Sequence, residues 1–204
     1  MQLLNEIEKL KKSHIRRTVD SRLKAFRENG SDPEKMFSEL CFCICTANCS
    51  AERGMRAQQE IDFRGLPEAM LRKKVRELVC RFYNHKTEYI IAARSKTCEL
   101  SQVLEESKTG KETREWIVKN VKGLGYKEAS HFLRNVGYTD VAIVDFHIID
   151  LLVKNKMIKK PKTLTKRAYL EVEKRLEELA ERTKTNLASL DLYMWYLETG
   201  KILK

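Results

Sequence analysis

Three observations predict an all-α fold. Apolar residues recur at three- and four-residue spacing along most of the 204-residue chain. No stretch alternates apolar and polar residues over several positions, as half-buried strands do. There are only three prolines and eight glycines, and no low-complexity linker divides the chain.

The elements follow in order. Leu3, Leu4, Ile7, Leu10, Ile15, Val19, Leu23 and Phe26 predict one helix over residues 3–28, ended by Asn29-Gly30. Asp32 then caps a second helix, with Pro33 in its first turn. This helix runs through the nearly continuous apolar stretch from Met36 to Ala47 and is the predicted core helix. A shorter helix covers about Ala51 to Ile61, and Gly65-Leu66-Pro67 turns into the next. Val75, Leu78 and Val79 face a core, and Tyr89, Ile90, Ala92 and Ala93 begin another helix. Ser107 to Lys111 is the most loop-like part of this half. Past residue 147, helices are predicted over Ile148–Val153, from Thr163 or Thr165 through Leu179, and from Asn186-Leu187 to about Leu197, where Gly200 stops the last.

Composition narrows the function. The net charge of +11 points to an anionic partner. Lys9, Lys11, Lys12, Arg16 and Arg17 break any apolar leader, and no run approaches the ~20 apolar residues of a membrane span. An intracellular, cytoplasmic protein is expected. Cys41, Cys43, Cys45 and Cys49 crowd one segment, and Cys80 and Cys98 lie apart. Only half of a paired-knuckle zinc site is arguable there. The apolar context favours small buried thiols over metal ligands, so no metal site is expected.

The stretch from Val121 to Asp150, VKGLGYKEASHFLRNVGYTDVAIVDFHIID, carries the chemistry. Two helical patterns flank Gly123-Leu124-Gly125. Two glycines around one Leu let the backbone bend tightly and present N–H groups. The following helix begins with unpaired donors and a positive dipole end, which suits a phosphate. Lys127 sits in that helix's first turn, and Asp145 arrives 18 residues later, behind Val141, Ala142, Ile143 and Val144. His147 follows. A phosphate-gripping hairpin, an amine beside it and a carboxylate from the next segment form one constellation.

With GLGYK, VDFH at this distance and a TGKILK tail, the chain resembles the helix-hairpin-helix glycosylase superfamily. CFCICTANCSAERGMRAQQEI, GLGYKEASHFLRNVG and LDLYMWYLETGKILK make it most similar to the short, archaeal-type 8-oxoguanine DNA glycosylase/lyases. The resemblance runs from the second helix to the last residue. It implies two helical domains with the hairpin at the cleft between them: residues 34–137 as one, residues 1–33 plus 138–204 as the other. It also implies double-stranded DNA containing 8-oxoguanine as partner, a monomer, and no cofactor. Some relatives hold an iron–sulfur cluster on four late cysteines, and this chain has none after Cys98. Relatives often carry a monovalent or alkaline-earth cation on the hairpin carbonyls, where it would be structural.

The resemblance also assigns residues. Lys127, as a neutral amine, attacks C1′ of an extruded nucleotide, and Asp145 stabilises the positive charge that develops. Read alone, Asp145 is a helix N-cap, and both roles are compatible. His147, Gly123 and Gly125 contact phosphate. Trp195 stacks on the extruded base, Phe82 fills the space it vacates, and Asn48 approaches the orphaned partner. The carboxylate of the terminal Lys204 accepts from the guanine edge. Arg81, Lys86, Arg94 and Lys122 are candidate phosphate contacts. Two other readings remain: the same machinery acting on another oxidised base, and a non-catalytic hairpin module that only binds DNA.

Overall fold

The computed structural model describes residues 2–204, and among them there are twelve α-helices and no β-strand. The first is α1 (Gln2–Lys11) and the second α2 (Ile15–Gly30), so the single helix expected over 3–28 is two. Ser13 is the cause. Its hydroxyl donates to Leu10 O (2.8 Å) and accepts from Ile15 N (3.2 Å), replacing the helical ladder with a local turn.

The core helix α3 (Pro33–Thr46) is capped by Asp32, which accepts from Glu34 N (2.9 Å) and Lys35 N (3.1 Å). It is buried almost all round, including Cys41, Cys43 and Cys45. Burial pushes all three thiols up, Cys45 to about 12, so they stay protonated and inert. Then come α4 (Ala51–Glu60), α5 (Glu68–Leu78), α6 (Tyr83–Arg94) and α7 (Thr97–Glu106). The helix expected to begin at Tyr89 instead starts at Tyr83 and ends at Arg94, and α7 is a separate helix after it. It has no side-chain N-cap and buries only Thr97 and Leu100. The remaining helices are α8 (Gly110–Asn120), α9 (Tyr126–Asn135), α10 (Phe146–Lys154), α11 (Lys166–Arg182) and α12 (Leu187–Thr199). No helix among the described residues is long and apolar enough to cross a membrane.

The buried apolar residues separate into two cores. One runs from Met36 to Val141 and is centred on α3. The other joins Leu3, Ile7, Ile15, Val19 and Phe26 from the start of the chain to residues 142–194. The chain passes between them through the non-helical, buried segment Val141–Val144.

A buried polar network spans that crossing. Arg114 on α8 makes a two-pronged ion pair with Glu173 on α11, at 2.6 and 2.7 Å. Glu173 Oε1 also accepts from Ala142 N (2.9 Å). The Tyr169 hydroxyl donates to Ala142 O (2.7 Å), accepts from Val144 N (3.2 Å) and lies 3.1 Å from Ser130 Oγ on α9. Two helices of the hairpin and the segment leading to Asp145 are thus referenced to the same two side chains.

Candidate active site

The hairpin is α8, the turn at Val121–Gly125, and α9. Leu124, between the two glycines, is buried in the first core and fixes the turn. Gly123 has φ +88°, and a Cβ there would lie 2.2 Å from the Tyr89 ring. The position therefore demands glycine twice over, by conformation and by space. Gly125 is the N-cap of α9 and offers no side chain to its first turn. Those N–H groups are left for an outside acceptor, with the helix dipole behind them.

Lys127 is the second residue of α9, with a side chain 29% exposed. Its Nζ lies 3.9 Å from Glu128 Oε1. Asp145 is the N-cap of α10, its Oδ1 accepting from Ile148 N (2.9 Å). The second carboxylate oxygen has no partner among the described residues.

Lys127 and Asp145 meet across two adjoining cavities and line both. The outer, about 650 Å³, is also lined by Asn48, Arg53, Arg81 and Leu164. The inner, about 380 Å³, is lined by Phe42, His131, His147, Trp195 and Lys204. Phe146, 66% exposed, stands beside both. A larger depression of about 880 Å³, walled by Arg27, Lys108 and Asp140 among others, contains none of the predicted residues.

The inner cavity has an aromatic wall. His147 meets Trp195 edge-on at 5.2 Å and tilts against Phe146 at 4.0 Å. Of the three aromatics near the end of α12, Tyr193 is in the core, and Trp195 reaches the cavity. The indole Nε1 and His131 Nε2 are buried with no hydrogen-bond partner among the described residues. Burial, aided by the charges of Arg134, Lys127 and Lys204, holds His131 well below its ordinary value, so it is neutral. Asp191, on the same wall, pairs with Arg134. Burial raises its carboxyl, opposed by Arg134 and reinforced by the charge on Asp145.

The structure separates the other predicted residues. Asn48 is exposed with φ +55° at the outer cavity. Phe82 is 54% exposed on the turn before α6, outside both linings, with Arg81 5.7 Å from its ring. Cys80 and Phe82 both adopt left-handed backbone, at φ +72° and +55°. Non-glycine residues held there mark a turn fixed by its surroundings. Gly123 and Gly125 lie on the hairpin rather than on the cavity walls.

Two expected phosphate contacts are corrected. Lys86 is 3% exposed and donates to Cys45 O (2.7 Å), closing the C-terminal end of α3. Arg94 donates to Phe63 O and Leu66 O, both at 2.8 Å, and braces the loop before α5. Neither guanidinium nor ammonium is free for DNA, whereas Lys122 is exposed. Glu39, Arg134, Asn135, Tyr169, Glu173 and Asp191 were not anticipated. They are polar residues within helices, where sequence alone reads a solvated face.

Known proteins match this chain along its whole length. The family model for 8-oxoguanine DNA glycosylase matches residues 19–185. The 8-oxoguanine DNA glycosylase/AP lyase of Methanocaldococcus jannaschii is 48% identical over the whole of both chains. That of Thermotoga maritima is 39% identical over 100% of this chain and 99% of its own. The crystal structure of the Methanocaldococcus jannaschii enzyme in complex with a 15mer DNA containing 8-oxoguanine superposes with a TM-score of 0.95, 47% identity and full coverage of both chains. A trapped endonuclease III–DNA covalent intermediate shares the fold alone, at TM-score 0.58 and 15% identity over 89% of this chain and 84% of its own. With matches of this extent, the chain belongs to the 8-oxoguanine DNA glycosylase family.

Proposed function

We propose that this protein excises 8-oxoguanine from duplex DNA and then nicks the strand at the abasic site, with Lys127 as nucleophile. The observation that carries the reading is that Lys127 and Asp145, from separate elements, line the same two cavities. The outer cavity, with Asn48 and Arg81, faces the duplex. The inner one takes the extruded nucleotide, because the bond to be broken is shielded within the stack.

The chemistry follows from the groups present. Neutral Lys127 Nζ attacks C1′, the bond from C1′ to the base breaks, and the base leaves with its electron pair and takes up a proton. Asp145 balances the positive charge on the sugar as that bond stretches. The sugar ring opens to a Schiff base on Lys127. Its C2′ proton is then acidic, and its loss expels the 3′ phosphate. An amine nucleophile needs no metal-activated water, and a cation on the hairpin carbonyls would lie away from the reacting atoms. Trp195 and the backbone of Lys204 wall the base. Phe82, already solvent-exposed, enters the vacated space. Gly123, the open first turn of α9 and His147 hold phosphates. One chain carries both Lys127 and Asp145, so the reaction needs no second copy, and its place is with the chromosome inside the cell.

A set of duplexes, each with one modified base and assayed in EDTA, tests the reading. Cleavage of the 8-oxoguanine duplex is expected, well above duplexes with guanine or an oxidised pyrimidine. Preference for an oxidised pyrimidine would refute the substrate assignment. Binding without cleavage of any duplex would reduce the protein to a DNA-binding module.

A further inference from the structure

Glu39 lies mid-way along α3, the core helix, and is 4% exposed. An unpaired carboxylate at such a position is costly. Its oxygens instead collect donors from four separate parts of the chain. Oε1 accepts from Lys204 Nζ (2.6 Å), from Gln58 Nε2 on α4 (3.1 Å) and from Asn29 Nδ2 on α2 (3.2 Å). Oε2 accepts from Asn135 Nδ2 on α9 (2.9 Å). Three of these donors are neutral amides. Among the described residues, Lys204 is the one cation in ion-pair contact with Glu39.

The Lys204 end of this contact is equally well defined. Its side chain is 14% exposed. The ammonium also donates to Gln58 Oε1 and sits 4.3 Å from the centre of the Phe42 ring. Between α12 and Lys204 the chain reverses at Gly200, in left-handed backbone at φ +70°. Thr199 Oγ1 then accepts from Lys201 N (3.3 Å) and turns the tail inward. Leu203 and Lys204 form one side of the inner cavity, with Trp195 on the same wall. Because Glu39 engages the ammonium, the part of Lys204 left for a ligand is its main chain. Main-chain oxygen is acceptor-only, which matches the N1 and exocyclic-amine donors of a guanine edge.

We infer that Glu39 is a positioning residue for base recognition: its buried carboxylate holds Lys204, and with it residues 200–204, as a fixed wall of the base cavity. The inference rests on the reading of that cavity as the base site. It differs from a purely stabilising ion pair in what it spares. An abasic site presents no base to the tail, so its cleavage does not depend on where Lys204 stands. A loss of fold or of Lys127 chemistry would lower both reactions together.

The test is a double-mutant cycle with Glu39→Gln, Lys204→Met and the pair combined. Each protein is assayed under single turnover on an 8-oxoguanine duplex and on the same duplex with a pre-formed abasic site. The ratio of excision to abasic cleavage is expected to fall at least about tenfold in either single variant, with no further fall in the double, because the two changes remove one interaction. If Glu39→Gln does not fold, Lys204→Met still gives the ratio. A ratio within about twofold of wild type in a folded single variant, or losses that multiply in the double, would overturn the inference. The failures are separable: a wild-type protein that does not excise 8-oxoguanine refutes the reading of the site, whereas an active wild type with unaffected variants refutes only the role of Glu39.

Discussion

Replacing Glu173 with Gln removes a carboxylate that serves Arg114 twice and the Ala142 amide once, with both ion-pair side chains 3% exposed or less. The amide can accept on one atom only and turns an N–H toward the guanidinium. Breaking a buried pair by removing one partner costs ~3–5 kcal/mol, because the surviving charge is stranded. For a chain of this size each kcal/mol shifts the melting temperature by about 2–4 °C, so a fall of ~6–20 °C is expected. A functional loss accompanies it. Glu173 and Tyr169 hold the backbone at Ala142 and Val144, directly ahead of Asp145, and also contact α8 and α9. Displacing a catalytic group by ~1 Å costs on the order of 10²-fold in rate. Thermal melts and single-turnover excision at 25 °C, normalised to folded protein, measure the two effects. A melting temperature within about 3 °C of wild type, with excision unchanged, would refute the view that this network sets the distance between Lys127 and Asp145.

Other perturbations separate the remaining roles. Gly123→Ala places a Cβ against the Tyr89 ring at positive φ, a strain of ~1–3 kcal/mol before the clash is counted, and a melt should fall accordingly while DNA affinity drops; unchanged affinity would remove the turn from the phosphate site. Phe82→Ala should leave the melting temperature nearly unchanged, since the ring is 54% exposed, yet impair excision; a loss of stability with normal excision would make Phe82 a packing residue. His131 predicts a pH dependence. Its folded-state value is depressed below 6.5 by burial, so the unfolded chain binds the extra proton, and stability is full above about pH 6.5 and declines below it, by at most ~1.4 kcal/mol per pH unit. His131→Gln should flatten that decline in denaturant titrations between pH 5 and 7, and an unaltered slope would contradict the assignment.

The helical class and the hairpin constellation were legible because periodicity and glycine chemistry are local. Asp32 and Asn186 announce their helices by capping chemistry, Thr165 is one of two starts the sequence offers for its helix, and all three do cap. The break at Ser13 was not legible, since a hydroxyl within a good apolar pattern reads as one more solvated position. Nor was the break between α6 and α7, since no glycine, proline or side-chain cap marks it at Ser95-Lys96. At the site, Lys127 and Asp145 stand out by sequence spacing. What brings them to one cavity is Glu173 and Tyr169, more than 20 residues further on. Lys86 and Lys122 look alike in sequence, yet one is buried against Cys45 O and the other is exposed. Burial of a polar group depends on which helices meet around it, and no local pattern encodes that.

If Lys127 is the nucleophile, its amine becomes bonded to the sugar of the damaged nucleotide. The measurement that tests this most directly is borohydride trapping on an 8-oxoguanine duplex, followed by digestion and mass spectrometry to locate the adduct. One DNA-linked peptide, modified at Lys127, is expected, with no adduct from a Lys127→Gln protein that still binds the duplex. An adduct on a different amine, or an undiminished yield from Lys127→Gln, would contradict that role.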